Sequence, residues 1–581
     1  MTAQTTEIRN ARLLTGLICA VAAATFVASL ILYLGSPMRF DETEWPPQAL
    51  GILRHGVPKL LYSEESVRWA TPGLFYGFDA HYGMWHPPVY LYSLAATVEL
   101  FGTGTIAMRA TSVAWLLLSL VVVWRITGLL LGKGAPLLVR AVPIALILMT
   151  PLLMQGGLYL DIDNTSLLFA LLVLIWLYLQ DPDTVSPRRL GLLALAFAFA
   201  LASKLTTPYM LLASIGVYQL LRRQPIRAFV QPAVIGIGGS AVFAAAYLAY
   251  CTLLRYPVLF MFQYTYLGKT SQFLHNPGLI VALRSVYWNL TWISVPIALL
   301  IAGAIVLRTV AFVRSGRAQP IDLLLIFCVV GLLAYVPWAG TVGKYTVPPV
   351  AAGVLAAGIE FGNRLAALQK PDVRSHALLV AGGAVVAAVV LLLVGTPLQF
   401  RPPGFGAVEE SIVNPPHVYL GLKFVAFGVV LFGAWRLFRG RSRAEVWTAA
   451  LAAYLLIANP IDVARLAVIA PGSSPYRPYN EPGFYATVDF LNASQRDHPN
   501  EVILAPKDMG LYFHGSHYGL EDVPAAEYGD ISTRPDVRYV VDSTLYPTVP
   551  GIDGVMRDRS LSEVKRVGAF VVYENPGYNG A

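Results

Sequence analysis

Long apolar runs separated by short polar connectors fill the first 470 residues. The first run, Leu13 to Leu34, carries no charge and exceeds the roughly 20 residues that a helix needs to cross a bilayer. Similar runs place spans near 13–35, 107–131, 139–158, 164–180, 190–203, 205–221, 232–254, 286–307, 321–340, 346–360, 376–398, 417–435 and 446–470. They predict about thirteen membrane helices. The two runs that meet at Ser203-Lys204 read equally well as one broken helix. Alternate connectors are short and basic: Lys133, Arg188-Arg189, Arg222-Arg223, Arg308 with Arg314 and Arg317, Arg364 with Lys370 and Arg374, and Arg436 with Arg439, Arg441 and Arg443. Basic connectors mark the cytoplasmic face. The two longest connectors, 36–104 and about 255–284, then fall on the opposite face together with the C-terminal tail.

After Ala470 the pattern changes. No membrane-length run follows, and short apolar stretches at Val502-Ile503-Leu504 and Val537 to Val541 read as buried strands. A helix is expected near Tyr485–Leu491. The expected architecture is therefore a mostly α, polytopic membrane protein. Its transmembrane domain covers 1–470, with a long first outer loop at 36–104, and a small α/β extracytoplasmic domain covers 471–581.

Composition sharpens this reading. The chain is 56% hydrophobic and 13% charged, about half the charge of an average soluble protein, which excludes an ordinary soluble domain. A net charge of +8 raises the question of nucleic acid, but the basic residues are scattered between apolar spans. They are topology signals, and no nucleic-acid partner is expected. Cys19, Cys251 and Cys328 all lie in apolar runs and have no metal spacing. Arg9 and Arg12 precede the first run and no cleavage pattern closes it, so it reads as a retained anchor in the cell membrane.

The chemistry-bearing stretch begins where the first run ends, at Met38-Arg39-Phe40-Asp41-Glu42-Thr43-Glu44-Trp45. Carboxylates that close to lipid are expensive unless they face a cavity or do work; the plain alternative is helix capping. The same loop continues Phe78-Asp79-Ala80-His81-Tyr82-Gly83-Met84-Trp85-His86-Pro87-Pro88, followed by Phe101-Gly102 and Arg109. An acidic pair after the first span, a His-Pro-Pro in the same loop, then Leu-Phe-Gly and an Arg resemble the GT-C superfamily of integral membrane glycosyltransferases. Protein O-mannosyltransferases and aminoarabinose transferases are the nearest by pattern. The span count and the tail outside the membrane are similar too, so the resemblance covers the whole chain.

The resemblance implies a glycosyltransferase that moves a hexosyl or pentosyl group from a polyprenyl-phosphate sugar to a lipid, glycan or protein acceptor. Asp41 matches the family's catalytic aspartate and Glu42 its acidic neighbour. His86, Pro87 and Pro88 match the substrate-loop motif. Aminoarabinose transferases commonly carry Lys where His86 stands, which argues against an aminoarabinose donor. Lys344-Tyr345, in Gly343-Lys344-Tyr345-Thr346-Val347-Pro348-Pro349, is similar to the family's basic-x-Tyr element before a late span. A plain aromatic-belt anchor is the competing reading.

The residues support this chemistry on their own. Such a transfer needs a base for the acceptor's proton and cationic groups for the departing phosphate. Asp161 and Asp163 sit at an outer junction, on the same side as Asp41, and are open to convergence with it or to helix capping. Acids from two loops also suit a divalent cation, although the sequence assigns none. Lys204, in an otherwise apolar stretch, reads as a lipid-phosphate contact or as a snorkelling anchor. His275, in the second outer segment, is a weaker candidate. No Walker-A loop and no dinucleotide fingerprint is present, which points away from a soluble nucleotide donor. Gly236-Ile237-Gly238-Gly239 reads as close helix packing. The rival reading, a transporter or lipid flippase, calls for ionisable groups at mid-membrane; here they gather at outer ends.

The basic connectors predict that Ala581 lies outside the cytoplasm. A reporter active only in the cytoplasm, fused after Ala581, is expected to be silent; an active fusion reverses the topology.

Overall fold

A computed structural model describes, apart from short gaps, residues 2–58, 87–256, 293–335, 343–367, 416–464, 483–519, 535–543 and 561–579. In chain order the helices are α1 (Thr2–Tyr33), α2 (Asp41–His55), α3 (Val89–Phe101), α4 (Thr105–Leu131), α5 (Leu137–Met149), α6 (Pro151–Leu158), α7 (Ser166–Gln180), α8 (Pro187–Leu201), α9 (Thr207–Leu221), α10 (Pro225–Leu254), α11 (Val295–Ser315), α12 (Asp322–Tyr335), α13 (Val347–Ala367), α14 (Pro416–Leu437), α15 (Arg443–Ala464) and α16 (Phe484–Asp497). The strands β1 (Val502–Ala505), β2 (His517–Gly519), β3 (Val537–Ser543), β4 (Ser562–Val567) and β5 (Phe570–Glu574) follow. The chain divides into two compact units. One takes in residues 1–34, 109–250 and 269–476, the other 35–108, 251–268 and 477–581.

The first unit is helical. Among the described residues, α1, α4, α10 and α11 are long and apolar enough to cross a membrane, and the bent pair α5–α6 supplies a fifth such span if taken as one. Every span expected from the sequence has a helix at its place except 376–398, which lies outside the described residues. The expected span 139–158 is two helices bent by 74°. The cause is local. Pro151 disfavours helical geometry at the residue before it, and Thr150 is extended at φ −86°, ψ 114°. A break within apolar surroundings exposes carbonyls that lipid cannot satisfy. Asn459, buried on α15, donates its side-chain amide to the Met149 carbonyl at 2.8 Å and accepts the Ser294 hydroxyl at 3.1 Å.

Close approach holds the helices together. A β carbon on Gly358 of α13 would stand 2.7 Å from the Pro143 Cα of α5, and one on Gly239 of α10 would stand 2.6 Å from the Ala194 carbonyl oxygen of α8. The Gly236–Gly239 run is therefore a packing face, as its sequence suggests.

In the second unit, α2 and α3 occupy parts of the loop expected to lack structure. Trp45, Ala49 and Ile52 are buried at helical spacing along α2. Trp45 meets Tyr90 of α3 edge-to-face at 5.7 Å, and the Tyr92 hydroxyl donates to the Gly56 carbonyl at 2.8 Å. The C-terminal part is a five-stranded sheet in the order β2-β1-β3-β5-β4. β1 pairs in parallel with β2 and β3, while β5 runs antiparallel between β3 and β4. Phe484, Val488 and Leu491 of α16 pack on Ile503, Val541, Phe570 and Val572. The expected helix and both expected strands are present.

Asn459→Leu removes the donor that satisfies the Met149 carbonyl while keeping a similar volume. It is expected to cost about 1–3 kcal/mol, read as a lower melting temperature in detergent. An unchanged melt shows that the carbonyl finds another partner.

Candidate active site

Three connectors of the first unit converge on one cluster. The α6–α7 connector brings Asp163, the α8–α9 connector brings Lys204, and the 3-10 turn Gly343–Thr346 before α13 brings Tyr345. Lys204 Nζ lies 2.5 Å from Asp163 Oδ1, and both residues are buried, at 7% and 1% exposure. The same ammonium sits 4.2 Å from the centre of the Tyr345 ring, a cation–π contact that strengthens away from water. Tyr345 stacks on Tyr335 at 6.2 Å, and the Tyr335 hydroxyl meets the Thr207 hydroxyl at 2.8 Å.

The α6–α7 connector is fixed by its own side chains. Asp161 Oδ1 accepts the Ile162 N–H at 2.7 Å. The Thr165 hydroxyl donates to the Asp161 carbonyl, and Asn164 donates to the Leu153 carbonyl on α6. No side chain caps α7. Capping by Asp163 or Asn164 is therefore not what these residues do, because the Lys204 ammonium and the Leu153 carbonyl engage them instead.

Lys344 lies in the same turn as Tyr345. Asp41 and Glu42 belong to the other unit, where Asp41 opens α2 and Glu42 is buried at 2% exposure. His86 lies outside the described residues, as do His275 and almost all of the second outer segment, whereas Pro87 and Pro88 lead directly into α3. Among the described residues no group of three or more acids, histidines or cysteines is placed to hold a metal ion.

Arg109 is the residue to which sequence reasoning gave no role. It is fully buried, donates to the Tyr33 carbonyl at 2.6 Å and lies 5.1 Å from the centre of the Tyr159 ring. It therefore satisfies the last carbonyls of α1, whose partial negative charge attracts a cation. A lone Arg near the start of an apolar run was the available signal.

The basic connectors of this unit gather elsewhere. Asp183 accepts both guanidinium nitrogens of Arg222 at 2.9 Å and one of Arg227 at 2.6 Å. Hydrogen bonding from Arg222 holds the Asp183 carboxyl below its ordinary range. Arg308 pairs with Asp322 at 2.7 Å, and the Ala318 N–H donates to the Leu221 carbonyl at 3.3 Å. A groove of about 1020 Å³ between α8 and α10 opens at this basic end, beside Arg188 and Arg189, and none of the candidate site residues lines it. The acidic and aromatic connectors thus sit at one set of helix ends and the basic ones at the other, matching the alternation in the sequence.

Comparison with known proteins agrees with this architecture. Residues 85–250 match the family model of dolichyl-phosphate-mannose-protein mannosyltransferase, a segment that includes Asp161, Asp163 and Lys204. No curated protein matches the chain by sequence. Among solved structures, ArnT from Cupriavidus metallidurans bound to undecaprenyl phosphate is similar over 97% of this chain and 98% of its own, with a TM-score of 0.60 at 17% identity. The apo form of the same ArnT gives a TM-score of 0.56 at 17% identity, covering 97% of each chain. At that identity the likeness is one of fold. The chain is a multi-pass membrane protein, mostly helical, with a small sheet near its C-terminus.

The Lys204–Asp163 pair makes a prediction. Removing one partner of a buried pair strands the other charge at a cost of about 3–5 kcal/mol, whereas replacing both is often close to neutral. Lys204→Met and Asp163→Asn are each expected to lower the melting temperature, and the double variant to recover most of the loss. Additive losses in the double-mutant cycle show that the two side chains are not coupled.

Proposed function

We propose that this protein is a GT-C glycosyltransferase that transfers a sugar from a polyprenyl-phosphate-linked donor to an extracytoplasmic lipid, glycan or protein acceptor, with Asp41 as the general base. The observation that carries the reading is the place of Asp41. It is the first acid after α1, at the N-terminus of a short helix, in a chain whose fold is shared with a protein bound to undecaprenyl phosphate. In the proposed step Asp41 takes the acceptor hydroxyl's proton as that oxygen bonds to the sugar's anomeric carbon. The bond from that carbon to the phosphate oxygen breaks, and the phosphate leaves on its lipid carrying the bond's electrons. Glu42 tunes Asp41, and His86 contributes to substrate binding. Residues 1–470 form the transmembrane catalytic domain and 471–581 the extracytoplasmic domain.

The leaving phosphate requires cations. An ammonium has three donors, and Asp163 takes one of those on Lys204. Lys204 therefore keeps donors for a phosphate oxygen, while Lys344 beside Tyr345 brings a second positive charge. Asp161 and Asp163 act in this reading by fixing the connector and orienting Lys204. The identity of the sugar rests on His86, where the departure from the aminoarabinose pattern favours a neutral hexose or pentose.

The test is turnover of radiolabelled polyprenyl-phosphate sugars by the purified protein with a membrane extract as acceptor. Asp41→Asn keeps shape and hydrogen bonding but cannot accept the proton. It is expected to slow transfer about a hundred- to ten-thousandfold, with binding of undecaprenyl phosphate and thermal stability retained. Since Asn caps helices about as well as Asp, an active Asp41→Asn variant makes Asp41 a cap and sinks the assignment.

A further inference from the structure

Within the second unit, the C-terminal part takes hold of the chain immediately before Asp41. The Met38 N–H donates to the Tyr512 hydroxyl at 2.9 Å. The Tyr485 hydroxyl donates to the Gly35 carbonyl at 3.2 Å. The Tyr512 hydroxyl also meets the Thr105 hydroxyl at 3.4 Å. One phenol oxygen thus joins residues 38 and 105, the two ends of the long loop that carries Asp41, Glu42 and the His86-Pro87-Pro88 motif.

The phenol is itself held on several sides. Its ring meets Phe484 edge-to-face at 5.2 Å and Tyr485 at 5.7 Å, and Phe484 meets Phe570 of β5 at 5.9 Å. Asn492 of α16 donates its amide to the Tyr512 carbonyl at 2.9 Å. Met38 is buried at 2% exposure. A hydroxyl so fixed transmits the rigidity of the sheet's helix to a backbone amide three residues from the proposed base.

We infer that Tyr512 is a positioning residue for transfer: by pinning both ends of the 36–104 loop it fixes the backbone at Met38 that leads into α2 and Asp41. Tyr485 is its lesser companion on the Gly35 carbonyl. The C-terminal part thereby acts on the reaction without touching substrate. This inference rests on Asp41 being the base. A base displaced by a fraction of an ångström loses rate while substrate binding survives, because near-attack geometry and not affinity is what changes.

Tyr512→Phe removes only the hydroxyl and keeps the ring contacts. The experiment uses the full chain in lipid nanodiscs, with radiolabelled polyprenyl-phosphate sugars and the acceptor extract as probes, and includes hydrogen exchange of the intact protein. The expected result is a kcat about ten- to a hundredfold lower, with KM for the donor and the melting temperature unchanged. Backbone amides from Met38 to about Trp45 are expected to exchange faster, while β1, β3 and β5 keep their protection. Tyr485→Phe is expected to shift both readouts in the same direction by less.

An unchanged kcat, or a change confined to KM, overturns the inference. Unchanged exchange at Met38–Trp45 overturns it as well. If Asp41→Asn proves fully active, the assignment of the base fails and this inference fails with it, whereas an inactive Asp41→Asn beside an unaffected Tyr512→Phe overturns the inference alone. Faster exchange without any loss of rate makes the phenol a structural pin alone, and the inference fails.

Discussion

A lysine ammonium shut away from water fixes the helix ends of the first unit. Lys204 stands in an apolar stretch, and desolvating a single charge there costs several kcal/mol unless it is matched. Asp163 supplies the opposite charge at 2.5 Å and Tyr345 supplies a ring face. The partners come from separate connectors, so meeting the demand of one side chain fixes three backbone segments. The break between α8 and α9 exists to deliver Lys204. The ordered connector 159–165 exists to deliver Asp163, and its internal bonds from Asn164 and Thr165 keep it from drifting. Charge neutrality in a poor solvent does here what a hydrophobic core does in water.

The same solvent governs the broken α5–α6 pair. Pro151 forces Thr150 out of helical geometry, and the freed Met149 carbonyl must be met from within the protein. Asn459 meets it from a helix more than 300 positions away in the chain, at a separation of 310. Arg109 does the same for the last carbonyls of α1. Each of these two irregularities therefore has a named polar side chain beside it. These side chains are candidates for sequence constraint even though no chemistry is assigned to them.

Much of the helical framework is legible in the sequence because membrane length and connector charge are one-dimensional signals. Leu13–Leu34 announces α1 without reference to any other segment. The C-terminal strands are legible for a similar reason, since Val537–Val541 is a bounded apolar run. What escapes is whatever depends on a distant partner. Pro46 and Pro47 lie inside α2, where Trp45 meets Tyr90 of α3, a contact that neither segment announces alone. The bend at Thr150 is foreshadowed by Pro151, but its tolerance depends on Asn459. Lys204 and Asp163 stand out as charges in apolar surroundings, whereas their pairing across 41 positions is not written in either neighbourhood. The candidate residues divide the same way: their types and places are legible, and their mutual geometry is not.

The two units solve the placement of charge by different physics. In the first, the buried Lys204 and Asp163 are bound to each other, which gives rigidity but spends part of each group's hydrogen-bonding capacity. In the second, Asp41 opens the short helix α2. Its backbone is steadied through neutral hydroxyls, Tyr512 on Met38 and Tyr485 on Gly35. Neutral restraints fix position without altering protonation. The proposed role of Asp41 as general base asks for such a defined place.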